Sequence, residues 1–243
     1  MANRKTNLLA LFLFLQPGWA SSDRDPCAAF DRIDKQVRDR MIARPAALQA
    51  LRELLPALDR YAAEKCPEPA PSGRAWVFPL QDYRRNSIGG KNGSGYTAKG
   101  YDYFDGKLHH AHPAHDIFIQ DGNQDTLDDR TGKPVRVLSV VDGIVAGLET
   151  RWEKSSDLRG GLYVLIYCPA THDLCYYAHL RSVTVQLGEC VRAGQPLGEV
   201  GRSGRNAALP RSPTHLHFEQ LRLVDAYPRP VDPYPNLVQA TRR

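Results

Sequence analysis

The spacing of apolar positions changes character once along this chain, near residue 70. From Asp25 to Lys65 there is no glycine, and apolar residues recur at helical intervals: Phe30, Ile33, Val37 and Met41, then Leu48, Leu51, Leu55 and Leu58. The pattern predicts a helical hairpin broken near Arg44-Pro45. Such a hairpin is too small to hold a core alone, so it must be stapled by the cysteines or docked on the C-terminal part of the chain. Pro67 to Gly73 has the composition of a linker. Beyond it come short β-rich runs separated by Gly, Asp and Pro turns: Ala75 to Leu80, Ala114 to Ile119, Val135 to Val141, Gly143 to Leu148, Leu162 to Tyr167, Leu174 to Leu180, Gln195 to Val200 and His215 to Leu223. The expected fold class is mainly β, an antiparallel β-sandwich or partly open barrel preceded by a small α-helical hairpin. Asp82 to Tyr103, rich in Gly and Asn, reads as a long loop near a functional site.

Period-two alternation also locates the candidate chemistry. In the run Ser212 to Glu219, His215 and His217 share one face of a strand while Leu216 and Phe218 point to a core. A bare His-x-His is weak evidence. It gains weight from His109 to Ile119, where four histidines fall within eight residues and Asp116 enters a strand. Imidazole and carboxylate together suit zinc. In Cys175 to Leu180, strict alternation puts Tyr177 and His179 on one face, opposite Ala178 and Leu180. No His-Glu-x-x-His string occurs in the chain.

Length and composition suit one ordinary globular domain plus an appendage, with a net charge of +5. The start, with Arg4-Lys5, an apolar run from Leu8 to Leu15 and Gly18-Trp19-Ala20, reads as a signal peptide over residues 1–20. Its apolar run is much shorter than the ~20 residues needed to span a bilayer. Loss of Arg4 and Lys5 with that segment lowers the charge from +5 to +3. This mild excess favours an anionic surface without identifying one, and no nucleic-acid partner is expected. The expected organisation is then residues 1–20 signal peptide, 21–66 hairpin, 67–73 linker and 74–243 β-rich domain carrying the candidate chemistry, in a secreted or periplasmic protein. Five cysteines suit export. Their bracketing positions predict Cys27 paired with Cys66 and Cys168 with Cys175, leaving Cys190 free.

Taken together, His112-x-x-x-Asp116, Tyr177-Ala178-His179-Leu180 and His215-Leu216-His217-Phe218, in this order, resemble the lysostaphin-type, LytM-like zinc endopeptidases that cut peptide cross-bridges of bacterial cell walls. The likeness extends over roughly residues 74–225, through Asp142-Gly143-Ile144-Val145 and Gly188 to Gly198. It implies that His112, Asp116 and His217 hold zinc with a fourth position open. It further implies that His179 and His215 serve proton transfer and transition-state stabilisation, on a peptidoglycan peptide as substrate. Two departures stand out. The family more often has glycine two residues after its first histidine, where this chain has Pro113-Ala114-His115. His115 is expected opposite Asp116, as support, with replacement of His112 or His110 as ligand the alternative. Arg205 to Pro213 is polar and proline-bearing where the family has a short glycine-rich turn; Arg202, Arg205 and Arg211 are candidate substrate contacts. Two other functions remain open: an inactive wall-binding or hydrolase-activating relative, and a zinc endopeptidase acting on a secreted protein.

Overall fold

The computed structural model describes residues 25–66, 76–108 and 111–242. The signal-peptide and linker readings therefore lie outside the described residues, as do His109 and His110.

The hairpin forms where the pattern placed it. Helix α1 (Pro26–Arg38) begins at Asp25, whose carboxylate accepts from the Cys27 amide at 2.9 Å, with Pro26 in the first turn where its missing N–H costs nothing. Helix α2 (Arg44–Lys65) comes after a short turn. Met41, read as part of the apolar stripe, is 77% exposed, because α1 has already ended and the residue lies in that turn.

Among the described residues, the strands after the hairpin form one antiparallel, open, nine-stranded sheet. Its strands are β1 (Ala114–Phe118), β2 (Arg136–Leu138), β3 (Gly143–Glu149), β4 (Leu162–Cys168), β5 (Asp173–Val183), β6 (Cys190–Val191), β7 (Pro196–Val200), β8 (His215–Val224) and β9 (Tyr227–Val231). The main order is β1-β8-β5-β4-β3-β6, with β9 on β8 and a limb of β7 and β2 joined to the far end of β5. Helix α3 (Tyr234–Gln239) closes the chain.

The predicted Ala75 to Leu80 strand does not form. Residues 76–80 make only isolated bridges, Val77 to Thr241 and Leu80 to Val137, since Pro79 has no N–H to give a ladder. Strand β9 went unseen for a related reason. Pro228 and Pro230 argue against a strand but are tolerated on this edge, reached by a tight turn in which Asp225 and Ala226 both take positive φ.

The sheet buries different cores on its two faces. One holds Ile117, Val145, Val164, Ile166, Tyr177, Leu216 and Phe218 against the β2–β7 limb. The other holds Ile144, Leu165, Tyr167, Leu174, Leu221 and Leu223 beneath Phe30, Leu51 and Leu58 of the hairpin. The docking has polar anchors too: Asp31 accepts from the Leu148 amide at 3.0 Å, and Asp34 accepts from the Tyr103 and Tyr163 hydroxyls at 2.8 and 3.1 Å. Gly106 allows the 103–108 turn to press on the end of α1, where a Cβ would lie 2.5 Å from the Val37 carbonyl oxygen.

The cysteine pairing differs from the expectation. Cys66 is bonded to Cys190, and Cys27, Cys168 and Cys175 are buried thiols. Cys168 and Cys175 cannot meet across the β4–β5 turn, because Cys168 is paired with Asp173 and Cys175 with Ile166. Cys27 points into the hairpin core. The bridge fastens the end of α2 to β6 across 124 residues. Non-reducing peptide mapping is expected to recover Cys66 with Cys190, and Cys190→Ser to lower unfolding stability by about 2–5 kcal/mol. Recovery of Cys27 with Cys66 would contradict this arrangement.

Candidate metal centre

Strand β8 sends alternate side chains, His215, His217, Glu219, Leu221 and Leu223, to the face that carries the hairpin. The hairpin covers only the leucine end, so the histidine end opens into a cleft of about 300 Å³. Strand β1 pairs with β8 in a register that sets Asp116 directly opposite His217. His115 is therefore turned to the reverse side, fully buried, with its Nε2 3.0 Å from Asp232 Oδ1 and its ring stacked on Tyr96. It supplies nothing to the cleft.

The Asp116 carboxylate is the hub. Its Oδ1 lies 3.2 Å from His112 Nε2, 3.2 Å from His217 Nδ1 and 3.6 Å from His215 Nε2. His112, Asp116 and His217 place one ligand atom each within 4.8 Å of one another. Nδ1 of His112 is 2.9 Å from the Gly95 carbonyl. A carbonyl only accepts, so Nδ1 carries a hydrogen and Nε2 is the ring nitrogen turned to the centre. The Asp82 to Tyr103 loop thus does lie against the site. These donors, two imidazoles and a carboxylate converging on one point, fit a divalent metal of the zinc type.

His179 and His215 stand beside this group, their rings 4.9 Å apart and His179 5.5 Å from His217. Each is oriented in the same way as His112. His179 Nδ1 bonds the Ser203 carbonyl at 2.8 Å and His215 Nδ1 the Pro213 carbonyl at 2.7 Å, so both direct Nε2 inward. Strict alternation had placed Tyr177 with His179, and here the structure differs. Tyr177 lies in the opposite core, its hydroxyl accepting from the Val140 amide at 2.9 Å, and Tyr176 lines the cleft instead. The cause is a bulge. His179 has φ +66°, the register slips between Leu162/Leu180 and Val164/Tyr177, and the extra residue swings the imidazole to the cleft side. Gly204 makes room, since a Cβ there would lie 2.9 Å from His179 Nδ1.

Charge in the cleft is set by these contacts. Burial opposes ionisation of Asp116, but hydrogen bonds from His112 and His217 and the nearby imidazoles prevail, holding its carboxyl well below the usual carboxylate range. The hydrogen bond to Asp116 raises His112. Burial lowers His217 against the pull of Asp116, and burial with repulsion from His215 and His217 lowers His179 well below the ordinary imidazole value. The neutral form of the His179 imidazole is thereby favoured.

Of the candidate substrate contacts, Arg202 is committed elsewhere: it donates to the carbonyls of Ser212 and Leu209, bracing the loop before His215. Arg205 and Arg211 are exposed. Glu219 escaped the sequence reading, although the alternation His215, His217, Glu219 carried the signal. It is 7% exposed and lines the cleft.

Residues 125–233 match the model of peptidase family M23, a stretch that contains His179, His215 and His217 but begins after Asp116. Among solved structures, the chain is similar to the catalytic domain of lysostaphin from Staphylococcus simulans, with 24% identity over 55% of this chain and 80% of that one and a TM-score of 0.36. It is similar also to LytM from Ruminococcus gnavus, with 20% identity over 91% and 83% of the two chains and a TM-score of 0.47. A zinc-containing peptidase from Vibrio cholerae gives 24% identity over 70% of this chain and 41% of that one, with a TM-score of 0.41. No curated protein sequence matches.

Burial raises Glu219 from 4.5 to about 7 against the hydrogen bond from Tyr101. A carboxyl raised on folding favours the native state at low pH, and that contribution is lost as pH rises from about 4.5 through 7. Glu219→Gln is therefore expected to gain stability relative to wild type over that window, by on the order of 3 kcal/mol at pH 8. Denaturant titrations of both proteins at pH 4 and pH 8 check this, and a difference that is the same at both pH values would contradict it.

Proposed function

Starting from a chain that carries a peptidase family M23 region, we propose that it is a secreted zinc-dependent endopeptidase hydrolysing peptide bonds in peptidoglycan cross-links or stem peptides. The observation that carries this reading is the convergence of His112, Asp116 and His217, with His179 and His215 turning Nε2 to the same point. A binding protein needs no such pair of oriented bases beside a ligand set.

Zinc held by His112, Asp116 and His217 supplies Lewis acidity that polarises a peptide carbonyl and brings the pKa of water toward ~7. The chain's own groups do the rest. Asp116 stays ionised in a buried setting and offsets charge that would otherwise be costly there. The neutral imidazole of His179 takes a proton at Nε2 as water attacks the scissile carbonyl. Once protonated, an imidazole in this position donates a hydrogen bond to the negative charge developing on the carbonyl oxygen, and His215 Nε2 is placed to share both tasks. Their Nδ1 bonds to backbone carbonyls hold the rings so that no reorientation is needed during reaction. The cleft, lined by Arg159 and Gly160 and by Asn206, Ala207 and Ser212 of the loop before His215, suits an extended peptide. Export of the chain agrees with the Cys66–Cys190 bridge, which persists in an oxidising compartment.

Elemental analysis paired with muropeptide release from purified sacculi tests these roles. Wild type is expected to hold one zinc and release peptides, and His217→Ala to lose the metal. His179→Ala is expected to keep the metal while activity falls by about 10²- to 10⁴-fold. Zinc without any cleavage of sacculi would overturn the enzyme reading, and cleavage of unrelated proteins alone would overturn the substrate.

A further inference from the structure

Where the histidine end of β8 gives way to the hairpin there is a second cavity, of about 130 Å³, roofed by α1 and the 103–108 turn. It adjoins the metal cleft: Arg159, Gly160, Tyr176 and Glu219 line both. Its volume is several times what one water needs, about 10–15 Å³ on the same measure.

Glu219 is the polar group that the protein leaves unanswered there. Its carboxyl accepts from the Tyr101 hydroxyl, yet Oε1 is buried with no hydrogen-bond partner among the described residues. The neighbouring polar groups are engaged. Both Asp34 oxygens accept from tyrosine hydroxyls, Arg38 donates to Asp39 and Glu149, and the Lys107 ammonium is paired with Asp157. A buried carboxyl oxygen without a donor is costly, and a donor supplied by a ligand recovers that cost.

We propose that this cavity is a substrate subsite that receives a protonated primary amine of the peptide against Glu219 Oε1, with the N-terminal hairpin building its far wall through Asp34, Val37 and Arg38. The inference rests on the peptidase reading, since it makes the adjoining cleft the place where the same peptide is cut. It gives the hairpin a part in choosing the substrate. An ammonium fits better than a neutral amide, because a charge-assisted bond repays burial of both partners. The amine belongs either to a side chain or to a peptide amino terminus, and the two are separable.

Calorimetric titration of the metal-free full chain tests this apart from catalysis. Three probes serve: Gly-Gly-Lys-Gly-Gly blocked at both ends, its Nζ-acetyl counterpart, and pentaglycine with a free amino terminus. At least one amine-bearing probe is expected to bind tenfold or more tightly than the acetylated peptide, and which one does so identifies the source of the amine. Glu219→Gln, which keeps the shape, is expected to abolish the difference. Leu158→Trp, which narrows the cavity from its loop side and leaves Glu219 in place, is expected to weaken the amine-bearing probe at least tenfold. Equal binding of free and acetylated probes, or a preference that survives Glu219→Gln, would overturn the subsite. Sacculus cleavage by wild type in that case leaves the peptidase reading standing, whereas amine-selective binding with no cleavage removes that reading alone.

Discussion

The pairing of β1 with β8, which sets Asp116 opposite His217, is the constraint on which the cluster depends. Neither residue lies near the other in sequence, and only backbone register holds the carboxylate and the imidazole 3.2 Å apart. A slip by one residue would turn Asp116 to the far side and bring His115 in. Register is fixed against this because the reverse face of β1 is buried: the slip would turn Ile117 out of the core that it shares with Leu216 and Phe218 and turn the Asp116 carboxylate into it. The apolar core thereby sets the chemistry of the opposite face.

A second device completes the site. Strand β5 would present Tyr177 and His179 together if it were regular, and the bulge at His179 instead separates a core tyrosine from a cleft imidazole. The positive φ of a non-glycine residue is an unfavourable conformation, sustained here by the Nδ1 bond to the Ser203 carbonyl and by the space that Gly204 leaves. Local strain at this point serves the orientation of the His179 imidazole toward the cleft.

What the sequence revealed divides along the same line. Regular periodicities were legible: the hairpin, seven of the runs that became strands, and the face shared by His215 and His217. Departures from periodicity were not. The bulge at His179, the proline-bearing β9 and the exposure of Met41 all depend on where an element stops or slips, which tertiary contacts decide. The cysteine pairing failed because nearness along the chain was taken for nearness in space, while Cys66 meets Cys190 only once the hairpin has docked. Glu219 was hidden by its company. It comes after two histidines on the same face but belongs equally to the hairpin side, and only the folded chain joins those two cavities.

X-ray absorption at the zinc edge on the full chain reads the centre most directly. The expected coordination shell has two imidazole nitrogens and carboxylate oxygen at about 2.0–2.2 Å, and Asp116→Ala is expected to lose the metal. A shell of three or four imidazoles, which would require His179 or His215 as ligands, would contradict the division between residues that hold the metal and residues that move the proton.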